Sequence, residues 1–131
     1  MNEKGSSTLV ALTWVTVLVL VSAGMAGAGR LVAAHTQATA AADAAALAAA
    51  PVTFLGGNPE GEAAKFAAVN GARLLRCDCR RDSSFASRTV VVEVAQQVDL
   101  PVFGLRTVRA RAAAEFAPLD LIGIPFTEET S

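Results

Sequence analysis

Leu9-Val10-Ala11-Leu12-Thr13-Trp14-Val15-Thr16-Val17-Leu18-Val19-Leu20-Val21 decides how this chain must be organised, because such a run is insoluble anywhere but in lipid or against another apolar surface. It lies within 22 uncharged residues, 8–29. At ~1.5 Å per residue they span roughly 33 Å as a helix, matched to a hydrocarbon layer of ~30 Å. A buried helix of a soluble protein is the bland alternative. A secretory signal is the serious one, since the run has the length of an h-region and Ala26-Gly27-Ala28 resembles a small-residue cleavage site. Against cleavage, the flank before the run carries Lys4 offset by Glu3, and the helical pattern continues past Ala28. Charge hardly decides orientation, with Lys4 on one side and Arg30 on the other. The short leader, residues 1–7, favours an N-terminus in the cytoplasm.

Outward from this segment, residues 30–50 read as a continuation of the same helix. Alanine is the strongest helix former, and neither Gly nor Pro interrupts the stretch before Pro51. Within the apolar run, Ala23 with Gly27 and Gly24 with Ala28 form small pairs four residues apart, which let membrane helices approach closely. The plain reading of these glycines is a helix loosened near the lipid surface.

Residues 51–59 read as a linker with Gly56-Gly57-Asn58-Pro59 as its turn. A second helix is expected from about Glu60 to Leu75. Glu60 and Glu62 stand in its first turn and Arg73 and Arg76 at its end, with Ala63, Phe66, Ala67, Asn70 and Leu74 as its buried stripe. From Arg88 to Leu100 the chain alternates, Val90, Val92, Val94, Val98 and Leu100 against Thr89, Glu93, Gln97 and Asp99. Residues 105–116 alternate again after Pro101-Val102-Phe103-Gly104, so an antiparallel hairpin is predicted, with the second helix behind it. The fold class is α+β: a long N-terminal transmembrane helix extending out of the membrane, then a small head over residues 60–117. The tail, 118–131, is apolar through Phe126 and then acidic, a third strand or a docking segment.

Composition bounds the function. A net charge of −1 lacks the basic excess of a nucleic-acid binder. Arg outnumbers Lys nine to two and Ala is heavily used, a bias typical of GC-rich bacterial genomes. His35 is the single histidine, expected to be solvated just beyond the lipid, and it has no partners for a metal site or a Ser-His-Asp arrangement. Ser6, Ser7, Ser83 and Ser84 lack a nucleophile elbow, and the glycines form no phosphate loop. No catalytic residue, metal, cofactor or small-molecule substrate is therefore expected. Cys77-Asp78-Cys79 can oxidise to a tight local disulfide or bridge two molecules, or both thiols can stay reduced. Arg73, Arg76, Arg80 and Arg81 gather around these cysteines, as a contact for an acidic partner or as a solvated helix end.

Taken in order, Lys4-Gly5-Ser6-Ser7-Thr8-Leu9, the apolar helix, the Ala-rich run from Gln37 to Ala50, Asn70-Gly71-Ala72-Arg73-Leu74 and the Val-rich hairpin resemble the TadE-like proteins, pilin-like minor components of tight-adherence (Flp) pilus systems. The resemblance runs from Lys4 to about Phe116. It implies a class III prepilin-like signal, cut after Gly5 to leave Ser6 as the new amino terminus. The chain departs from the pilin pattern at Val10, where many pilins carry a Glu that pairs with a neighbour's amino terminus. Related chains also place a cysteine in the second helix, where this one has Ala63 and Ala64, which makes Cys79 the substitute partner for Cys77. The implied role is structural and non-enzymatic: a minor pilin or pseudopilin in pilus assembly or secretion. It would be single-pass in the cell membrane with its head extracytoplasmic, and its partners would be the membrane, other pilus-assembly membrane proteins or copies of itself. The alternative is a small secreted binding or adhesion protein, released by signal peptidase after Ala28.

Overall fold

The structure, a computed structural model, describes residues 4–101 and 103–119, and of 4–6 the main chain only. Helix α1 (Lys4–Leu55) is a single rod of 52 residues, ~78 Å long at ~1.5 Å per residue. Over residues 7–33 no side chain is buried by the rest of the protein, and Trp14 is 65% and Leu20 67% exposed. Within this chain the stretch is therefore not a core helix. The hydroxyls in this stretch are satisfied within the helix itself. Thr13 Oγ1 donates to the Leu9 carbonyl at 2.9 Å, Thr16 to Leu12 at 2.9 Å and Ser22 to Leu18 at 2.8 Å. Such back-bonding leaves these hydroxyls without unmet polarity toward lipid.

From Ala34 onward the same helix becomes core. Ala34, Ala38, Ala41, Ala42, Ala45, Ala46, Ala49 and Ala50 are all buried, at the three-and-four spacing of one helical face. They pack on a three-stranded antiparallel sheet of order β1-β2-β3, where β1 is Arg73–Asp78, β2 Arg88–Leu100 and β3 Gly104–Phe116. The predicted alternation holds: Val90, Val92 and Val94 of β2 and Ala110, Ala112 and Ala114 of β3 are buried, while Thr89, Gln97, Arg109 and Arg111 are exposed. Three fully buried valines contribute about 1.5–3 kcal/mol each. Their branched side chains supply the bulk between layers, and methyl-sized alanines let the helix lie close on the sheet. Leu100 pairs with Gly104 at the hairpin turn, where Gly104 takes φ +68 and the Phe103 amide donates to the Leu100 carbonyl at 3.2 Å.

Several expectations are corrected. The helix that backs the hairpin is the second half of α1, whereas α2 (Pro59–Val69) packs on α1 and beside β1. The predicted linker is helical through Leu55. Pro51 removes the bond to the Leu47 carbonyl, which belongs to an exposed residue open to water, and Phe54 holds the last turn by packing 5.3 Å from Phe85 and 6.4 Å from Phe116, centroid to centroid. Asn58 caps α2 by accepting from the Gly61 amide at 3.0 Å, and Pro59 occupies the first turn.

The second helix also ends earlier than predicted. Gly71 at φ +75 lets its amide reach the Ala68 carbonyl at 3.0 Å and the Ala72 amide reach Ala67 at 2.9 Å, the Schellman closure. Arg73 and Arg76 therefore compensate no helix dipole but sit on β1. The third strand comes from here, and the apolar tail once offered for it lies, from Asp120 on, outside the described residues.

Candidate functional site

Among the described residues the charged side chains gather on open faces and in shallow recesses, so the candidate sites are surfaces. β1 carries a register shift between Leu74 and Arg76, which turns both Leu74, opposite Val94, and Cys77, opposite Val92, toward the core. Arg73, Arg76 and Asp78 face outward. Arg73 pairs with Ala95, Arg76 with Glu93 and Asp78 with Val91, while across β2 Glu93 meets Arg111 and Ala95 meets Arg109. The outer sheet face thus presents four arginines from two strands with Asp78, Glu93 and Glu115 among them, and Arg76, Asp78, Val91, Glu93 and Arg111 line a shallow depression.

The basic cluster read from sequence is therefore split. Arg73 and Arg76 belong to the sheet face, joined there by Arg109 and Arg111, which the sequence reading left out. Arg80 and Arg81 are exposed beyond the strand, and Arg81 lines a different recess with Thr53, Phe54, Gly56, Asp82 and Ser83.

Cys77 and Cys79, both partly buried against the core, are bonded to each other with Cα atoms 5.3 Å apart. The loop that follows is docked onto the end of α1. The Asp82 amide donates to the Thr53 carbonyl at 3.0 Å, and the Arg88 guanidinium donates to the carbonyls of Asp82, Ser84 and Ala86 while lying 5.9 Å over the Phe54 ring. Within it the Asp82 carboxylate accepts from the Ser84 amide at 2.8 Å and its hydroxyl at 3.0 Å, and these bonds hold its pKa below the ordinary 3.8. A lowered carboxyl keeps these bonds as acid is added, until the pH falls through that depressed value.

On α1, Ala23, Gly24, Gly27 and Ala28 lie in the bare stretch, and a Cβ placed on Gly24 or Gly27 would meet no atom within 4 Å. Gly5 and Ser6 are in the first turn by main chain, and the Ser6 side chain is not among the described ones. His35 is exposed on α1. Among the described residues no group of three or more His, Cys, Asp or Glu side chains is placed to hold a metal ion.

A helix long and apolar enough to cross a membrane, bare at its start and built into a small α+β head at its end, is a pilin-like plan. Residues 5–52 match the family model described as Putative Flp pilus-assembly TadE/G-like, which supports the resemblance over that stretch. The match takes in the apolar stretch and the whole alanine stripe, and the sheet lies outside it. No curated protein and no solved structure matches the chain.

Proposed function

We propose that this TadE-like chain is a non-enzymatic minor pilin or pseudopilin. It crosses the cell membrane once over residues 8–29, with its N-terminus cytoplasmic and its head extracytoplasmic. The observation that carries the reading is the division of α1, apolar and bare as far as residue 33, then buried by the head from Ala34. Lateral contacts with other pilus-assembly membrane proteins, or with copies of itself, use Ala23, Gly24, Gly27 and Ala28. The outer sheet face, with Arg73, Arg76, Arg109 and Arg111, takes an acidic partner. Processing after Gly5 would leave the apolar helix whole.

The full chain is expected to stay with membranes through carbonate and high-salt washing, because residues 8–29 bury apolar area worth ~25 cal/mol per Å² in lipid and surface charge cannot compete. Recovery of uncleaved protein in the soluble fraction would sink the reading. Among the packing residues, Gly24→Leu and Gly27→Leu should lower crosslinking to membrane partners while leaving insertion intact, since both add bulk at small positions without polarity. Unchanged crosslinking in both variants would show that this face is not an interface.

A secreted form is the second reading. It is favoured by the fact that the head's core begins at Ala34, six residues beyond a cut after Ala28, so release would leave that core complete. Sequencing the mature amino terminus separates the two: an intact start or Ser6 supports the membrane form, Gly29 the secreted one.

A further inference from the structure

The β2–β3 turn carries large apolar side chains that the head does not cover. Phe103 is 66% exposed and Leu105 70%, although Leu100, at the other side of the turn, is buried. Their place along α1 follows from contacts at both ends of the sheet. At the far end, Phe54 meets Phe85, Phe116 and Arg88, so β2 starts and β3 finishes beside the last turn of α1. Nearer the membrane segment, a Cβ on Gly71 would lie 3.3 Å from the Gln37 amide, which sets the start of β1 level with Gln37. Arg73 pairs with Ala95, so β2 passes Gln37 and continues toward the N-terminus of α1.

Leu100 lies five residues beyond Ala95, ~16 Å along the strand. The same distance is about eleven residues of helix, and inclination of strand to helix shortens it. The turn therefore comes level with α1 between about residues 26 and 34, where the uncharged stretch ends at Gly29 and Arg30 follows. Headgroups occupy several ångströms on each side of the hydrocarbon, and this is the depth at which aromatic and aliphatic side chains gain by burial.

We infer that Phe103 and Leu105 enter the interfacial layer of the same bilayer that α1 crosses, giving the head a second hold on lipid. The inference rests on the membrane-spanning reading of α1. Continuity with that helix selects lipid as the occupant, since a surface at this height beside a membrane helix meets headgroups before any soluble partner. Arg106 follows directly and Arg30 stands at the same level, both long enough to reach lipid phosphates with their stems in apolar surroundings. Asp99, paired with Leu105 on the same face and at the same height, limits the depth of entry to the headgroup layer. Because α1 already tethers the head, even a weak lipid contact is populated.

The test places a single tryptophan at each of three heights in the full chain, loaded one per nanodisc of phosphatidylcholine brominated near the carboxyl end of its acyl chains. Native Trp14 reports whether α1 is in the bilayer. With Trp14→Phe in place, Phe103→Trp reports the turn and Phe85→Trp the far end, with Leu105→Trp as a second reading of the turn. The expected result is a blue-shifted emission quenched by brominated lipid at 14, 103 and 105, and water-like unquenched emission at 85. Quenching at 14 with 103 and 105 no more quenched than 85 overturns the lipid contact alone. Absence of quenching at 14 overturns the spanning reading and the contact with it. Quenching at 103 that appears only at several chains per disc means the turn meets a second copy, and also overturns it.

Discussion

A fragment beginning at Gly57 is expected to remain unfolded, while one beginning at Leu31 folds. Residues 60–117 read as a head in their own right, but half of the core they need is the alanine face of α1. Without that face Val90, Val92 and Val94 lie open to water, at about 1.5–3 kcal/mol each, and three strands with a short α2 beside them cannot cover the sheet. The loss is of the order of the whole stability of so small a domain, ~5–15 kcal/mol. Amide dispersion in nuclear magnetic resonance spectra of the two fragments decides it. A well-dispersed spectrum from the shorter fragment would mean that α1 is an accessory to the head and not its second layer.

Val92→Asp is expected to unfold the head, and Glu93→Ala, one residue on, to leave it intact. Val92 is fully buried at the centre of the sheet, between Cys77 and Ala112, so a carboxylate there has no partner and costs several kcal/mol. Glu93 points the other way, between Arg76 and Arg111 on the outer face, where its removal should change stability by no more than about 0.5 kcal/mol. Limited proteolysis of the two variants measures the contrast. Equal resistance, or a more fragile Glu93→Ala, would contradict the inward and outward assignment of β2.

Where sequence pattern carries hydropathy contrast, the fold was legible. Leu9 to Val21 has one plausible solvent, and the alternation from Thr89 to Leu100 gave the inward face of Val90, Val92 and Val94 and the hairpin with its turn. The alanine stripe was not legible as core, because a buried Ala42 and an exposed Ala40 are the same letter and differ only in what stands opposite. Arg73-Leu74-Leu75-Arg76-Cys77-Asp78 hid β1, since its register shift breaks the alternation that marks a strand. The signal that could have exposed it is Asn70-Gly71, a cap residue followed by the residue type that takes φ above zero, which reads as a helix stop. With β1 taken for helix, Arg109 and Arg111 had no strand to bring them to Arg73 and Arg76. The four-arginine face could then not be assembled from spacing alone.

The unbroken run of α1 through both environments has a mechanical meaning. Between Arg30 and Pro51 there is neither Gly nor Pro, so no joint separates the part held by lipid from the part held by the sheet. Tilting the rod in the bilayer swings the arginine face through the same angle. A pull along the rod's axis also reaches the sheet directly, as a shear across alanine and valine parallel to the strands. Anchor and lever are one piece, and whatever grips either end feels the load at the other without slack.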